Sequence, residues 1–203
     1  VGNTIYYVVA EDALGCLDTA TVEINAFPID ISTIPQYDLC LNTVTTIAVI
    51  NNALDQELQY LWSPEDAIQE GETTPTPVVN PLVSTTYTVV VVNQYGCVDS
   101  ASTFVNVVDV LTGLFATADP DTIYFGSGVS SQLETVQNDD YEYFWWPDES
   151  LDNNTIFNPL AQPDTTTTYY IEVTETISEA GCRGLDSVTV VVLSPPCEPP
   201  FIF

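Results

Sequence analysis

The 203-residue sequence contains no histidine, no lysine and no methionine, and its one basic residue is Arg183. Without His or Lys there is no Ser-His or Cys-His nucleophile pair, no Schiff-base lysine and no histidine metal site. Carboxylates are the only acid–base groups left. They number 29, and the formal net charge is −28. One cation cannot neutralise a phosphate backbone, which excludes nucleic acid as a partner. An anionic membrane surface is excluded on the same ground. No stretch approaches the roughly 18 apolar residues of a membrane-spanning helix, so membrane insertion is not expected, and no signal-peptide pattern opens the chain. Strand-like sequence starts at once, Thr4-Ile5-Tyr6-Tyr7-Val8-Val9, and the last residues, Phe201-Ile202-Phe203, read as the start of something further. The expectation is an internal piece of a longer protein.

What is present is a repeat. Ile5-Tyr6-Tyr7-Val8-Val9 with Gly15-Cys16-Leu17-Asp18-Thr19-Ala20 is matched by Thr86-Tyr87-Thr88-Val89-Val90 with Gly96-Cys97-Val98-Asp99-Ser100-Ala101. A third copy is Thr168-Tyr169-Tyr170-Ile171-Glu172 with Gly181-Cys182 and Asp186-Ser187-Val188. Upstream, Tyr60-Leu61-Trp62-Ser63-Pro64 matches Tyr143-Phe144-Trp145-Trp146-Pro147, and Asn80-Pro81 is matched with Asn158-Pro159. The chain divides into the C-terminal part of a preceding repeat (1–27), two full repeats (28–109 and 110–194) and a Pro-rich linker (195–203). Segments rich in Val, Thr, Ile and Tyr, bounded by turn residues, read as strands at Thr43–Ile50, Leu58–Trp62, Thr85–Val92 and Ala101–Val108. No segment has a helical period. Several short strands in about 80 residues imply an all-β fold of tandem two-sheet β-sandwich repeats.

Cys40 and Cys97 fall in one repeat with Trp62 between them, the order of an immunoglobulin-type inter-sheet disulfide packed on a strand tryptophan. A Cys40–Cys97 bond is expected, worth roughly 3–4 kcal/mol as loop closure; two buried thiols are the alternative. The position matching Cys40 in the next repeat falls near Tyr124-Phe125-Gly126. Cys182 is left either as a free thiol or paired with Cys197.

The series Tyr-x-Trp-x-Pro, Asn-Pro, Thr-Thr-Tyr-Thr-Val and Gly-Cys-x-Asp-Ser resembles the PKD-like and immunoglobulin-like repeats of large Bacteroidota surface proteins. Gliding-motility adhesins and other cargo of the type IX secretion system are among these. Cys197-Glu198-Pro199-Pro200 resembles the lead-in to their C-terminal sorting domain. The resemblance implies an extracellular, cell-surface location and a non-enzymatic structural or adhesive role as stalk or fibre-forming spacer. Implied partners are other repeats of the same protein, surface or secretion-system proteins, glycans, and copies of itself joined by strand addition into filaments. It also implies O-glycosylation at Asp-Ser/Thr followed by a small or branched apolar residue, here at Thr19, Ser100, Thr122 and Ser187. Such Asp-Ser-Val strings are equally good strand openings.

No cofactor is required by anything in the sequence. Asp109, Asp119, Asp121, Asp139 and Asp140 are the candidate ligands for Ca2+, which takes six to eight oxygens, against the alternative of a solvated acidic face. A second functional reading is a carbohydrate-binding module of a secreted enzyme, with Trp146 and Tyr141 stacking on sugar. A glycoside hydrolase would need two carboxylates singled out from the 29, and none are.

Overall fold

The computed structural model describes residues 2–52 and 57–195. Among them there is no helix, and so none long and apolar enough to cross a membrane. First comes a hairpin of two ten-residue strands, β1 (Gly2–Glu11) and β2 (Leu17–Ala26). Next are β3 (Ile31–Thr33), β4 (Gln36–Cys40), β5 (Thr45–Thr46), β6 (Val49–Asn51), β7 (Leu58–Ser63), β8 (Ile68–Glu70), β9 (Val78–Val79), β10 (Thr85–Asn93) and β11 (Val98–Val108). The remaining strands are β12 (Thr117–Asp119), β13 (Thr122–Tyr124), β14 (Ser131–Glu134), β15 (Tyr141–Trp146), β16 (Leu160–Ala161), β17 (Thr167–Glu175) and β18 (Arg183–Leu193). Two compact units result. One takes the described residues of Val1–Tyr37 and Asn42–Asn106, the other those of Asp38–Leu41 and Val107–Phe203.

Each unit contains a β-sandwich of one design. The second has a sheet ordered β13-β18-β17-β15 facing a sheet ordered β12-β14-β16. Its core is drawn from both: Ile123, Trp145, Tyr169, Ile171, Val173 and Val190 from the first sheet, Leu133 and Ala161 from the second. The first unit uses the order β4-β11-β10-β7 against shorter pieces, β5-β9-β8 and β3-β6. Side chains alternate across a strand. Tyr87, Val89 and Val91 on β10 are therefore fully buried, as are Tyr169, Ile171 and Val173 on β17. Burial lifts the Tyr87 phenol to about 12.

Backbone bonds fix which residues are equivalent between the two sandwiches. Ile47 N–H donates to Pro77 O and Val49 N–H to Pro75 O, while Leu133 N–H donates to Pro159 O and Thr135 N–H to Phe157 O. Pro77 thus corresponds to Pro159, and Thr76-Pro77 rather than Asn80-Pro81 is the counterpart of Asn158-Pro159. The prolines also explain why the single strand expected at 43–50 is two short ones. They accept from the ladder but have no N–H to return.

The edge strand β13 runs parallel to β18, with Tyr124 opposite Leu193, and Phe125 N–H donates to Leu193 O. Leu41 N–H donates to Val108 O in the same way, which places Cys40 at the counterpart of Tyr124, as the sequence match suggests.

In the first unit the β1–β2 hairpin has the register of the sandwich hairpins. Tyr6 lies opposite Val22, as Tyr87 lies opposite Thr103 and Tyr169 opposite Val188. Its apolar residues are exposed, Tyr6 at 52% and Val8 at 60%. It is tied on by Phe27, whose ring stacks on Tyr95 at 4.1 Å and whose carbonyl accepts from Asn93 Nδ2 at 3.1 Å.

Gly184 on β18 has no space for a side chain: a Cβ would lie 2.9 Å from Val110 O and 2.7 Å from Leu114 Cδ2. Leu114 has rotamer freedom, but the Val110 carbonyl does not. Gly184→Ala should destabilise the second unit by about 1–3 kcal/mol through overpacking, read as a lower urea midpoint with an unchanged slope.

Candidate functional site

The hairpin turns are the first place where side-chain chemistry repeats. Asp12 Oδ1 accepts from the N–H groups of Leu14 and Cys16 at 2.8 and 2.9 Å. Asn93 Oδ1 accepts from Tyr95 and Cys97 at 3.0 Å each. Glu175, buried, reaches further round a longer turn. Its Oε2 accepts from Ile177 and Ser178 N–H at 3.0 and 2.9 Å, and its Oε1 from Cys182 N–H at 3.3 Å and from the Ser178 hydroxyl. The glycine before each cysteine has positive φ, +81° at Gly15, +80° at Gly96 and +56° at Gly181. Such a conformation suits glycine and strains other residues. The sequence signal was Asp/Asn-x-x-Gly-Cys, an acceptor at the end of one strand satisfying the N–H groups of its own turn. Asn93-Gln94-Tyr95-Gly96 is legible as a hairpin turn; the acceptor role of its first side chain emerges with the hydrogen bonds.

The cysteine pairing differs from expectation. Cys40 is bonded to Cys182, 142 residues apart, with Cα atoms 5.4 Å apart, and both belong to the second unit. Asp38 Oδ2 also accepts from Glu179 N–H at 3.3 Å in that unit. Cys97 and Cys16 are exposed free thiols. The Cys40–Cys97 expectation fails on strand length. Leu41 sits beside Val108 at the end of β11, whereas Cys97 precedes its first residue. Eleven residues at about 3.3 Å each separate the two ends, far beyond the roughly 7 Å Cα separation a disulfide spans. Trp62 fills its core without a disulfide behind it. Cys197, the other proposed partner of Cys182, lies outside the described residues.

Three of the candidate O-glycosylation hydroxyls, Thr19, Ser100 and Ser187, are exposed, and Thr122 is half-buried. In each Asp-Ser/Thr pair on β2, β11 and β18 the aspartate Oδ1 accepts the next residue's N–H at 2.8 Å. The three are not at one structural position. Thr19 lies opposite Val9 and Ser100 opposite Val90, but Ser187 lies opposite Tyr170, two residues further along the ladder. In all three hairpins the residue six after the cysteine faces the tyrosine, so the two extra residues between Cys182 and Asp186 account for the shift.

The candidate calcium ligands are not gathered. Among the described residues no three acidic, cysteine or histidine side chains come together as a cation site. Asp109 Oδ1 instead accepts from Leu111 and Thr112 N–H at 2.9 Å each. Hydrogen bonds from the side chain and backbone of Thr112 and the backbone of Leu111 hold its carboxyl below the usual value despite slight desolvation.

Trp146 and Tyr141 are also separated. Strand alternation turns Tyr141, Tyr143 and Trp145 inward, where they pack on or form the core, and leaves Glu142, Phe144 and Trp146 on the outer face. Trp146 stacks instead on Phe144 (5.9 Å, 25°) and on Tyr170 of β17 (5.6 Å, 17°).

No family model matches the chain, and no curated protein matches it. Among solved structures, the protocadherin fragment PcdhgB3 EC1-4 is 7% identical, with 96% of this chain and 67% of that one covered, at a TM-score of 0.35. The insect immune protein hemolin is 14% identical over 94% of this chain and 56% of its own, at 0.38. Murine CEACAM1b is 13% identical over 82% of this chain and 100% of its own, at 0.36.

Two outcomes follow from the turns. Under non-reducing digestion, peptides carrying Cys40 and Cys182 should stay joined, while Cys16 and Cys97 react with a thiol label in the folded protein; a Cys40–Cys97 cross-link would contradict the structure. Burial raises the Glu175 pKa, but the Ser178 hydroxyl and the N–H groups of Ser178, Cys182 and Ile177 outweigh it and the net shift is downward. Ionised Glu175 therefore stabilises the fold above the ordinary value of 4.5, and that contribution is lost as pH falls through the lower folded value. The melting-temperature gap between wild type and Glu175→Gln should be constant near neutrality and shrink below that value. A gap independent of pH would show that the carboxylate's charge plays no part.

Proposed function

We propose that this chain is a non-enzymatic structural and adhesive repeat region of a large secreted surface protein, of the Bacteroidota type IX cargo kind that its motifs resemble. The observation that carries this reading is duplication of a whole sandwich. Trp62 and Trp145, Tyr87 and Tyr169, and Val89 and Ile171 fill equivalent buried positions in two units. A design repeated around its core supplies length and spacing; a unique reaction centre is not multiplied in this way. On the same reading 28–109 and 110–194 are successive repeats, and the β1–β2 hairpin, sharing their closing register, is the end of another. The charge of −28 keeps neighbouring stalks apart. It is screened by dissolved cations, with calcium acting as one of them rather than at a built site. The exposed hydroxyls of Thr19, Ser100 and Ser187, with Thr122, are the proposed glycan attachment points.

Beads coated with the chain should attach to surfaces on which uncoated beads wash free, and soluble chain should compete. Attachment equal to that of uncoated beads, or hydrolysis of a glycan or peptide substrate abolished by one acidic substitution, would overturn the reading. Native material should exceed its sequence mass by whole sugar units; a mass equal to the bare sequence would remove the glycans from it.

A further inference from the structure

We propose that the outer face of β15 and β17 in the second unit is a binding site for neutral carbohydrate, with Phe144, Trp146 and Tyr170 receiving the flat face of a sugar chain. The site does not depend on the spacer reading.

The strip is not needed by the core. Tyr143, Trp145, Tyr169 and Ile171 are turned inward on the same two strands and seal it. Phe144 and Tyr170 remain 50% and 45% exposed. The first unit serves as an internal control. Ser63 pairs with Thr88 there as Trp146 pairs with Tyr170 here, and Leu61 takes the place of Phe144. Buried positions keep their aromatic or branched character between the repeats, while three outward positions change from Leu, Ser and Thr to Phe, Trp and Tyr. Sheet stability does not explain a change confined to one repeat, since the other folds without it.

The surroundings select the ligand. Glu172 lies directly opposite Phe144. Glu172 is held at 3.0 Å by Arg183, the chain's single base. The rings are aligned to within 25° of their stacked neighbours. An apolar strip edged by a carboxylate acceptor and guanidinium N–H donors suits a pyranose, which has a C–H face and a hydroxyl rim. Charge narrows the choice further. Phosphorylated, sulfated or uronic-acid polymers meet a field of −28, and so does a second copy of this chain. The one cation near the strip is already paired. A polycation would be drawn to acidic groups anywhere on the surface and has no need of these three rings.

Intrinsic fluorescence isolates the site. Of three tryptophans, Trp62 and Trp145 are fully buried, so a ligand-induced change reports Trp146. The probes are soluble neutral β-glucan, mannan and galactan, run beside a sulfated polysaccharide and poly-lysine, in gel retardation and fluorescence titration. At least one neutral polymer should retard the chain and shift its emission, and the sulfated polymer should not. Trp146→Ser with Tyr170→Thr, which install the first unit's own residues, should weaken retardation roughly tenfold or more, the loss expected on removing an aromatic anchor. Ser63→Ala on the equivalent face of the first unit should leave it unchanged. Melting curves confirm folding; should the double variant unfold, Phe144→Leu alone, again a first-unit residue, provides the comparison. Retardation by no neutral polymer, retardation only by poly-lysine, or retardation equal in wild type and folded variants would overturn the proposal.

Discussion

Each sandwich is organised around one buried indole. Trp62 Nε1–H donates to Thr74 O at 2.9 Å, and Trp145 Nε1–H to Ile156 O at 3.0 Å. An indole is the largest side chain a small core can hold, and its N–H must find an acceptor once water is excluded. The bond ties the strand carrying the tryptophan to the segment that crosses toward the opposite sheet. It also sets the parity of everything else on β7 and β15. With Trp145 fixed inward, Trp146 can only face out, and its partners are whatever β17 presents there. The outer strip is thus a consequence of the inner anchor.

Much of this was legible in the sequence, because strands report themselves by alternation and repeats by recurrence. The Tyr-x-Val-x-Val pattern of β10, the Tyr-x-Ile-x-Val pattern of β17 and the two Trp positions needed no structure. The failures share one cause. Pairing Cys40 with Cys97, Trp146 with Tyr141, and Asn80-Pro81 with Asn158-Pro159 used order along the chain without counting strand length or side-chain parity. An eleven-residue β11 puts Cys97 and Cys40 at its opposite ends. A five-residue separation puts Tyr141 and Trp146 on opposite faces. The shift of Ser187 relative to Ser100 is a matter of counting too: two extra residues separate Cys182 from Asp186, while the residue six after each cysteine stays opposite its tyrosine. The bond from Cys40 to Cys182 spans 142 residues, and no local pattern reports contacts at that range.

The scarcity of cations explains how the acids are used. The one salt bridge among the described residues is Arg183–Glu172. Asp12, Asp109 and Glu175 instead accept from backbone N–H groups in turns, and Asp152, Asp18, Asp99 and Asp186 accept from N–H groups at or near strand starts. Backbone amides do the work that lysines and arginines do elsewhere. They are positioned by the fold itself, whereas a long charged side chain must be ordered at an entropic cost. Carboxylates used in this way stiffen the loops while adding to the net negative charge.

The Cys40–Cys182 bond changes what happens when the ends of the chain are drawn apart. Tension enters along the first residues, reaches Cys40, crosses to Cys182 through sulfur and leaves toward the C-terminus. The covalent path bypasses the residues between them. At about 3.4 Å per extended residue, a stretch of 142 residues withholds roughly 480 Å of slack that no pull can release while the bond is intact. Reduction of that single bond would return that slack to the covalent path, without a change in sequence.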